Sequence, residues 1–205
     1  MARRNILSFI NELERAVFTT REIVLKSGKS KSTVTQSLKY LCRQGILIKV
    51  YRGIWALVGQ KISPHTIIPF LLPRRRAYVS FITALHLHGI IEQIPQVITL
   101  ASTSHTRTIR TKLGAFSIHR IAPSFYKGFD WYKGNGSFLI AEPEKALIDS
   151  LYVSVYKKKQ YRFFPELTFP RSFDFSKARK WAQSIPGPSR SNVLKRLAEI
   201  NAGAK

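Results

Sequence analysis

Residues 18–58, FTTREIVLKSGKSKSTVTQSLKYLCRQGILIKVYRGIWALV, constrain the fold more than any other part of the chain. Start and stop signals alternate there at the spacing of two short helices and a hairpin. Thr19, with Glu22 three residues on, forms a capping box that opens a helix carrying Ile23 and Val24, and Gly28 closes it. Ser30 or Ser32 can cap the next helix, in which Val34, Leu38 and Leu41 recur at i, i+4 and i+7 and so share a buried face. Lys31, Ser32, Thr35, Gln36 and Lys39 fall on the other side. They are hydrogen-bond donors without a carboxylate among them, as a helix laid against phosphates and base edges requires. After Gly45, the runs Ile46–Val50 and Ile54–Val58 read as strands joined at Arg52-Gly53. The prediction is a helix-turn-helix with a basic-tipped wing, whose Arg52 suits a narrow minor groove. The bland alternative is a small helical domain with a merely solvated charged face. Agreement between helix, wing and charge favours duplex DNA.

The charge balance points the same way. The 205 residues hold 34 Lys plus Arg against 11 Asp plus Glu, a formal charge of +23. An excess of that size favours a polyanionic partner. Residues 1–60 carry 11 basic and 3 acidic side chains, and residues 61–205 carry 23 and 8, so both parts are basic. A DNA-binding module alone does not account for the second value, which places the larger part near nucleic acid or an acidic protein. The single cysteine, Cys42, excludes an intramolecular disulfide and is expected to pack as a small hydrophobe. No charged leader followed by an apolar stretch opens the sequence, and no apolar run reaches spanning length, so a cytoplasmic protein without a membrane partner is expected.

Ahead of the core stretch, Ile6, Phe9, Ile10 and Leu13 keep helical spacing and supply a third helix, preceded by Arg3 and Arg4. Gly59–Ser63 reads as a linker and Pro64 as the opening of a new segment. The expected division is therefore a winged helix-turn-helix domain over 1–60 and a larger domain over 61–205. In the latter, residues 80–88 read as a helix stopped by Gly89. Residues 97–101, 116–121, 131–133 and 137–141 read as strands, the last two joined by the turn Gly134-Asn135-Gly136. Glu142-Pro143-Glu144 opens a helix that buries Ala146, Leu147 and Leu151. Two terminal helices follow, to Ile185 and over 189–200. The fold class is α+β, with a small mixed or antiparallel sheet and C-terminal helices. Basic and aromatic residues interleave from Lys157-Lys158-Lys159 through Tyr161, Phe163, Phe164, Phe169, Phe173 and Phe175. They form either a stacking platform for single-stranded nucleic acid or, about three times as readily, a core for the terminal helices.

A family resemblance emerges from the order of three segments. Arg52-Gly53-Ile54-Trp55 ends the wing. Ala77-Tyr78-Val79-Ser80 is followed by Ala84-Leu85-His86-Leu87-His88-Gly89, and Ala141-Glu142-Pro143-Glu144-Lys145-Ala146-Leu147-Ile148-Asp149 comes last. The chain resembles the AbiEi-type antitoxins of bacterial type IV toxin-antitoxin systems over nearly its full length. What the resemblance implies is an N-terminal domain that binds inverted repeats in its own promoter and represses the operon. It also implies a C-terminal domain that counteracts a co-encoded nucleotidyltransferase-like toxin without a stable complex. A stand-alone winged-helix regulator, or a replication or partition protein of a mobile element, is the alternative. Binding as a pair on DNA is compatible with inverted repeats, although no heptad marks a dimer interface.

No catalytic or metal site is expected, and no cofactor. His86 and His88 are two residues apart and point to different faces of a helix, while His65, His105 and His119 hold no ligand spacing to them. Glu142, Glu144 and Asp149 fit helix capping and an ion pair with Lys145 or an arginine. The residues expected to touch DNA are Ser32, Thr35 and Gln36 at base edges, Lys31, Lys39 and Arg43 at phosphates, and Arg52, Arg3 and Arg4 at the backbone or minor groove.

Overall fold

A computed structural model describes residues 5–72, 76–134, 138–156 and 165–203. Arg3 and Arg4, the Asn135-Gly136 part of the expected turn, and the stretch from Lys157-Lys158-Lys159 to Phe164 lie outside the described residues. The chain divides into two compact units. The first takes in the residues up to Leu71 together with Thr111–Gly114, and the second takes in the rest.

In the first unit, α1 (Ile6–Asn11), α2 (Thr20–Ser27) and α3 (Lys31–Arg43) are followed by strands β2 (Leu47–Tyr51) and β3 (Ile54–Leu57). Thr19 accepts the Glu22 N–H at 3.2 Å while Glu22 accepts the Thr19 N–H at 2.7 Å, so both halves of the capping box form. Gly28, at φ 65°, ends α2 in the left-handed region that only glycine enters without cost. Ser30, rather than Ser32, caps α3. The extended backbone that Thr19 needs as a cap also lets Val17–Thr19 pair as a strand, β1, with β3. The sheet therefore has three antiparallel strands in the order β1-β3-β2. Ile6, Phe9, Ile10, Phe18, Ile23, Val34, Leu38, Leu41, Leu47 and Trp55 close one core, with Cys42 packed against it. Trp55 donates its indole N–H to Thr20 Oγ1 at 2.9 Å, which satisfies the ring's only polar atom inside that core. A 3-10 turn at Pro64–Ile67 and α4 (Ile68–Leu71) complete the unit.

Among the described residues, the second unit is built on a six-stranded mixed sheet with helices. Its strands are β4 (Ala77–Val79), β5 (Val97–Ser102), β6 (Arg107–Thr111), β7 (Gly114–Arg120), β8 (Phe129–Trp131) and β9 (Leu139–Ala141), arranged β6-β7-β5-β4-β9-β8. β4 runs antiparallel to β5 and parallel to β9, β5 is parallel to β7, and β8 is antiparallel to β9. The helices are α5 (Phe81–Leu87), α6 (Pro143–Tyr156), α7 (Phe175–Gln183) and α8 (Ser189–Gly203). α6 packs against α5, α7 and α8 and buries Ala146, Leu147, Ile148 and Leu151 completely. Phe169, Phe173 and Phe175 pack against one another in tilted and edge-to-face contacts with ring centroids 4.7–5.0 Å apart, and Phe173 is buried, so these three aromatics serve a core. The strand expected at 131–133 lies two residues earlier, because Phe129 and Trp131 take the positions opposite Ala141 and Leu139.

Candidate nucleic-acid interface

The faces of α3 follow from its 3.6-residue period. Val34, Leu38 and Leu41 are buried on one side, and Ser32, Gln36, Lys39 and Arg43, spaced at i, i+4, i+7 and i+11, are exposed on the other. Lys31 is exposed in the first turn. Thr35 sits at the flank, half-buried, and its hydroxyl donates to the Lys31 carbonyl at 2.7 Å, which leaves its lone pairs outward. Sequence reasoning missed Tyr40. It is 60% exposed one turn beyond Gln36 on the same stripe, and its signal was the absence of any apolar neighbour at i±3 or i±4 on that face. Not one carboxylate lies in α3.

The β2–β3 hairpin, which stands where the wing was expected, is set by its turn. Gly53, at φ 72°, allows the two-residue connection that returns β2 to β3, and this leaves Arg52 exposed at the tip. Lys49 is exposed on β2, its amine 5.9 Å from the centre of the Trp55 ring. Lys31, Ser32, Thr35, Gln36, Lys39, Arg43 and Arg52 thus all reach solvent, and none is drawn into the core.

The second unit holds a different polar constellation, built from the Tyr78-Val79-Ser80 and Glu142-to-Asp149 segments. Lys145 and Asp149, one turn apart on α6, form an ion pair with both side chains fully buried. Asp149 Oδ2 accepts hydrogen bonds from Tyr78 Oη at 2.9 Å and Ser80 Oγ at 2.7 Å, and Lys145 donates to Tyr78 Oη at 3.1 Å. The Lys145 amine also lies 3.8 Å from the centre of the Phe125 ring. Burial pushes the Lys145 amine below its ordinary range, against the pull of Asp149, and burial with Asp149 alongside holds the Tyr78 phenol well above its own. With all four side chains fully buried and bonded to one another, the cluster ties α6 to β4. Glu142 and Glu144 pair with Lys177 at 3.0 and 3.5 Å, and Glu144 accepts the Asp174 N–H that opens α7.

The histidines part as the helix period requires. His86 Nδ1 meets the Ile91 carbonyl at 3.3 Å and His88 Nε2 meets the Ala141 carbonyl at 2.7 Å. Among the described residues no group of three or more His, Cys, Asp or Glu side chains can hold a metal ion. Nor is any helix there long and apolar enough to cross a membrane.

No curated protein matches the chain. Residues 8–58, from within α1 to the end of the wing, match the family of transcriptional regulators described as AbiEi antitoxins, the family that the sequence motifs resemble.

Proposed function

We propose that the protein is a DNA-binding antitoxin of a type IV toxin-antitoxin system. In this reading it represses its own operon through inverted repeats and counteracts a nucleotidyltransferase-like toxin encoded beside it in a bacterial cytoplasm. The observation that carries the reading is the outer stripe of α3, cationic and hydroxylated with no carboxylate, beside a wing tipped by Arg52, in a module that matches AbiEi regulators. Gln36, at the centre of the stripe, presents the amide that pairs with an adenine edge in the major groove, and Ser32 lies one turn before it. Lys31, Lys39 and Arg43 neutralise phosphates on either side, and Arg52 reaches the adjoining minor groove or backbone. The protein acts by binding and carries out no chemistry of its own.

Two assays test the proposal together. Footprinting of the full chain on the DNA upstream of its gene is expected to protect two half-sites related by a dyad, and a reporter driven by that DNA is expected to be repressed. Co-expression with the neighbouring toxin reading frame is expected to restore growth. Uniform protection without a dyad refutes autorepression, and growth arrest unaffected by the protein refutes the antitoxin role.

A further inference from the structure

The first unit contains four residues that are remote from it in sequence, Thr111–Gly114, the turn joining β6 to β7. The turn is held in one shape by its own side chain. Thr111 Oγ1 donates to the Gly114 carbonyl at 2.9 Å and accepts the Leu113 N–H at 3.1 Å. Gly114, at φ 146°, brings its backbone against Pro64, where a methyl group would lie 3.6 Å from the proline ring. Between them, the Lys112 N–H donates to the Val50 carbonyl at 3.2 Å. Val50 falls where the β2–β3 register shifts between Lys49 and Tyr51, and β2 is the edge strand of its sheet. The turn thus docks on the free edge of the wing at its bulge, two residues from Arg52. The Lys112 side chain is exposed, and among the described residues no carboxylate pairs with it.

We propose that Lys112 is part of the DNA-binding surface: a phosphate contact delivered to the wing by the β6–β7 turn, alongside Lys49 and Arg52. The inference rests on the DNA-binding reading and extends it to a residue outside the helix-turn-helix segment. A lysine suits the position because a compact ammonium on a flexible stem neutralises a phosphate without reading sequence. Its backbone is fixed by the turn, so the side chain alone is ordered on binding.

The test is the salt dependence of binding by the full chain to a duplex from the region upstream of its own gene and to a mixed-sequence duplex. Lys112→Ala is expected to reduce the slope of log K against log salt by about 0.9, and to weaken both duplexes alike, roughly eightfold at about 0.1 M salt. Lys112→Arg is expected to retain the parent slope. Lys195→Ala, which removes an exposed charge from α8 in the second unit, controls for net charge and is expected to leave the slope unchanged. A Lys112→Ala slope equal to the parent's, or an equal drop with Lys195→Ala, overturns the inference while the DNA reading stands. A parent chain that binds neither duplex overturns both. Thermal melting of each variant separates lost contact from lost fold.

Discussion

Replacing Asp149 with asparagine removes one charge from a site that water does not reach. Lys145 then loses its ion-pair partner, and its amine stays enclosed by Phe125 and Tyr78. Asparagine keeps the shape and one acceptor, so the Tyr78 and Ser80 hydroxyls are not both orphaned and the change reports chiefly on charge. Two limits bound the cost. Breaking a buried pair by removing one partner costs about 3–5 kcal/mol. Alternatively, Lys145 folds neutral, and at about pH 7.5 stripping a proton from an amine that ionises near 10.4 in the unfolded chain costs about 4 kcal/mol. The limits agree, and a loss near 4 kcal/mol corresponds to a fall of about 8–16 °C in Tm for a domain of this size. The second limit also fixes a sign. A lysine neutral in the fold and charged in the unfolded chain makes the unfolded state bind the extra proton, so stability of the variant rises with pH up to about 10.4, at roughly 1.4 kcal/mol per pH unit. Calorimetry or circular-dichroism melting across pH 7–10 reads both numbers. An Asp149→Asn variant within 1 kcal/mol of the parent, with no gain toward alkaline pH, would show that Lys145 reaches water and that the cluster does not anchor α6.

Other perturbations probe the two units separately. Gln36→Ala is expected to flatten the preference for the protein's own upstream DNA by about 1–3 kcal/mol, whereas Lys39→Ala weakens every duplex alike, and competition binding tells them apart. Tyr126 carries a half-buried phenol whose pKa burial raises to about 12 and whose hydroxyl lacks a partner among the described residues. Because the fold keeps that proton after the unfolded chain has lost it near 10, stability falls as pH rises from 10 toward 12, and Tyr126→Phe is expected to reduce that fall without cost at neutral pH. An identical alkaline melting curve refutes this. Gly128, at φ 77°, leaves no room for a side chain: a Cβ there would lie 2.6 Å from Trp181. Gly128→Ala is expected to cost about 2–4 kcal/mol by strain and overpacking together, and an unchanged melt contradicts that packing.

The first unit was legible because its signals are local. A capping box, a glycine stop, a serine cap and a two-residue turn each act within four residues, and the structure contains all of them. What escaped notice depended on distant partners. β1 is three residues that become a strand only because β3 lies beside them, and β4 is another three, recruited between β5 and β9. β6, Arg-Thr-Ile-Arg-Thr, shows one apolar residue, Ile109, because an edge strand buries little of itself, so neither alternation nor hydropathy marked it. An ion pair between the acids of the Glu142–Asp149 segment and Lys145 or an arginine was legible, yet that Asp149 is the partner of Lys145, its complete burial and its two hydroxyl partners about 70 residues away were not. Lys112 is the same lesson at the interface: nothing near it in sequence places it on a wing sixty residues earlier.

The most direct measurement is the affinity of the intact protein for its own upstream DNA as salt rises from about 50 to 200 mM. With roughly six phosphates neutralised by the α3 stripe and the wing, binding is predicted to weaken on the order of a thousandfold. Affinity that stays flat across that range would contradict a grip made by cationic side chains on a duplex backbone.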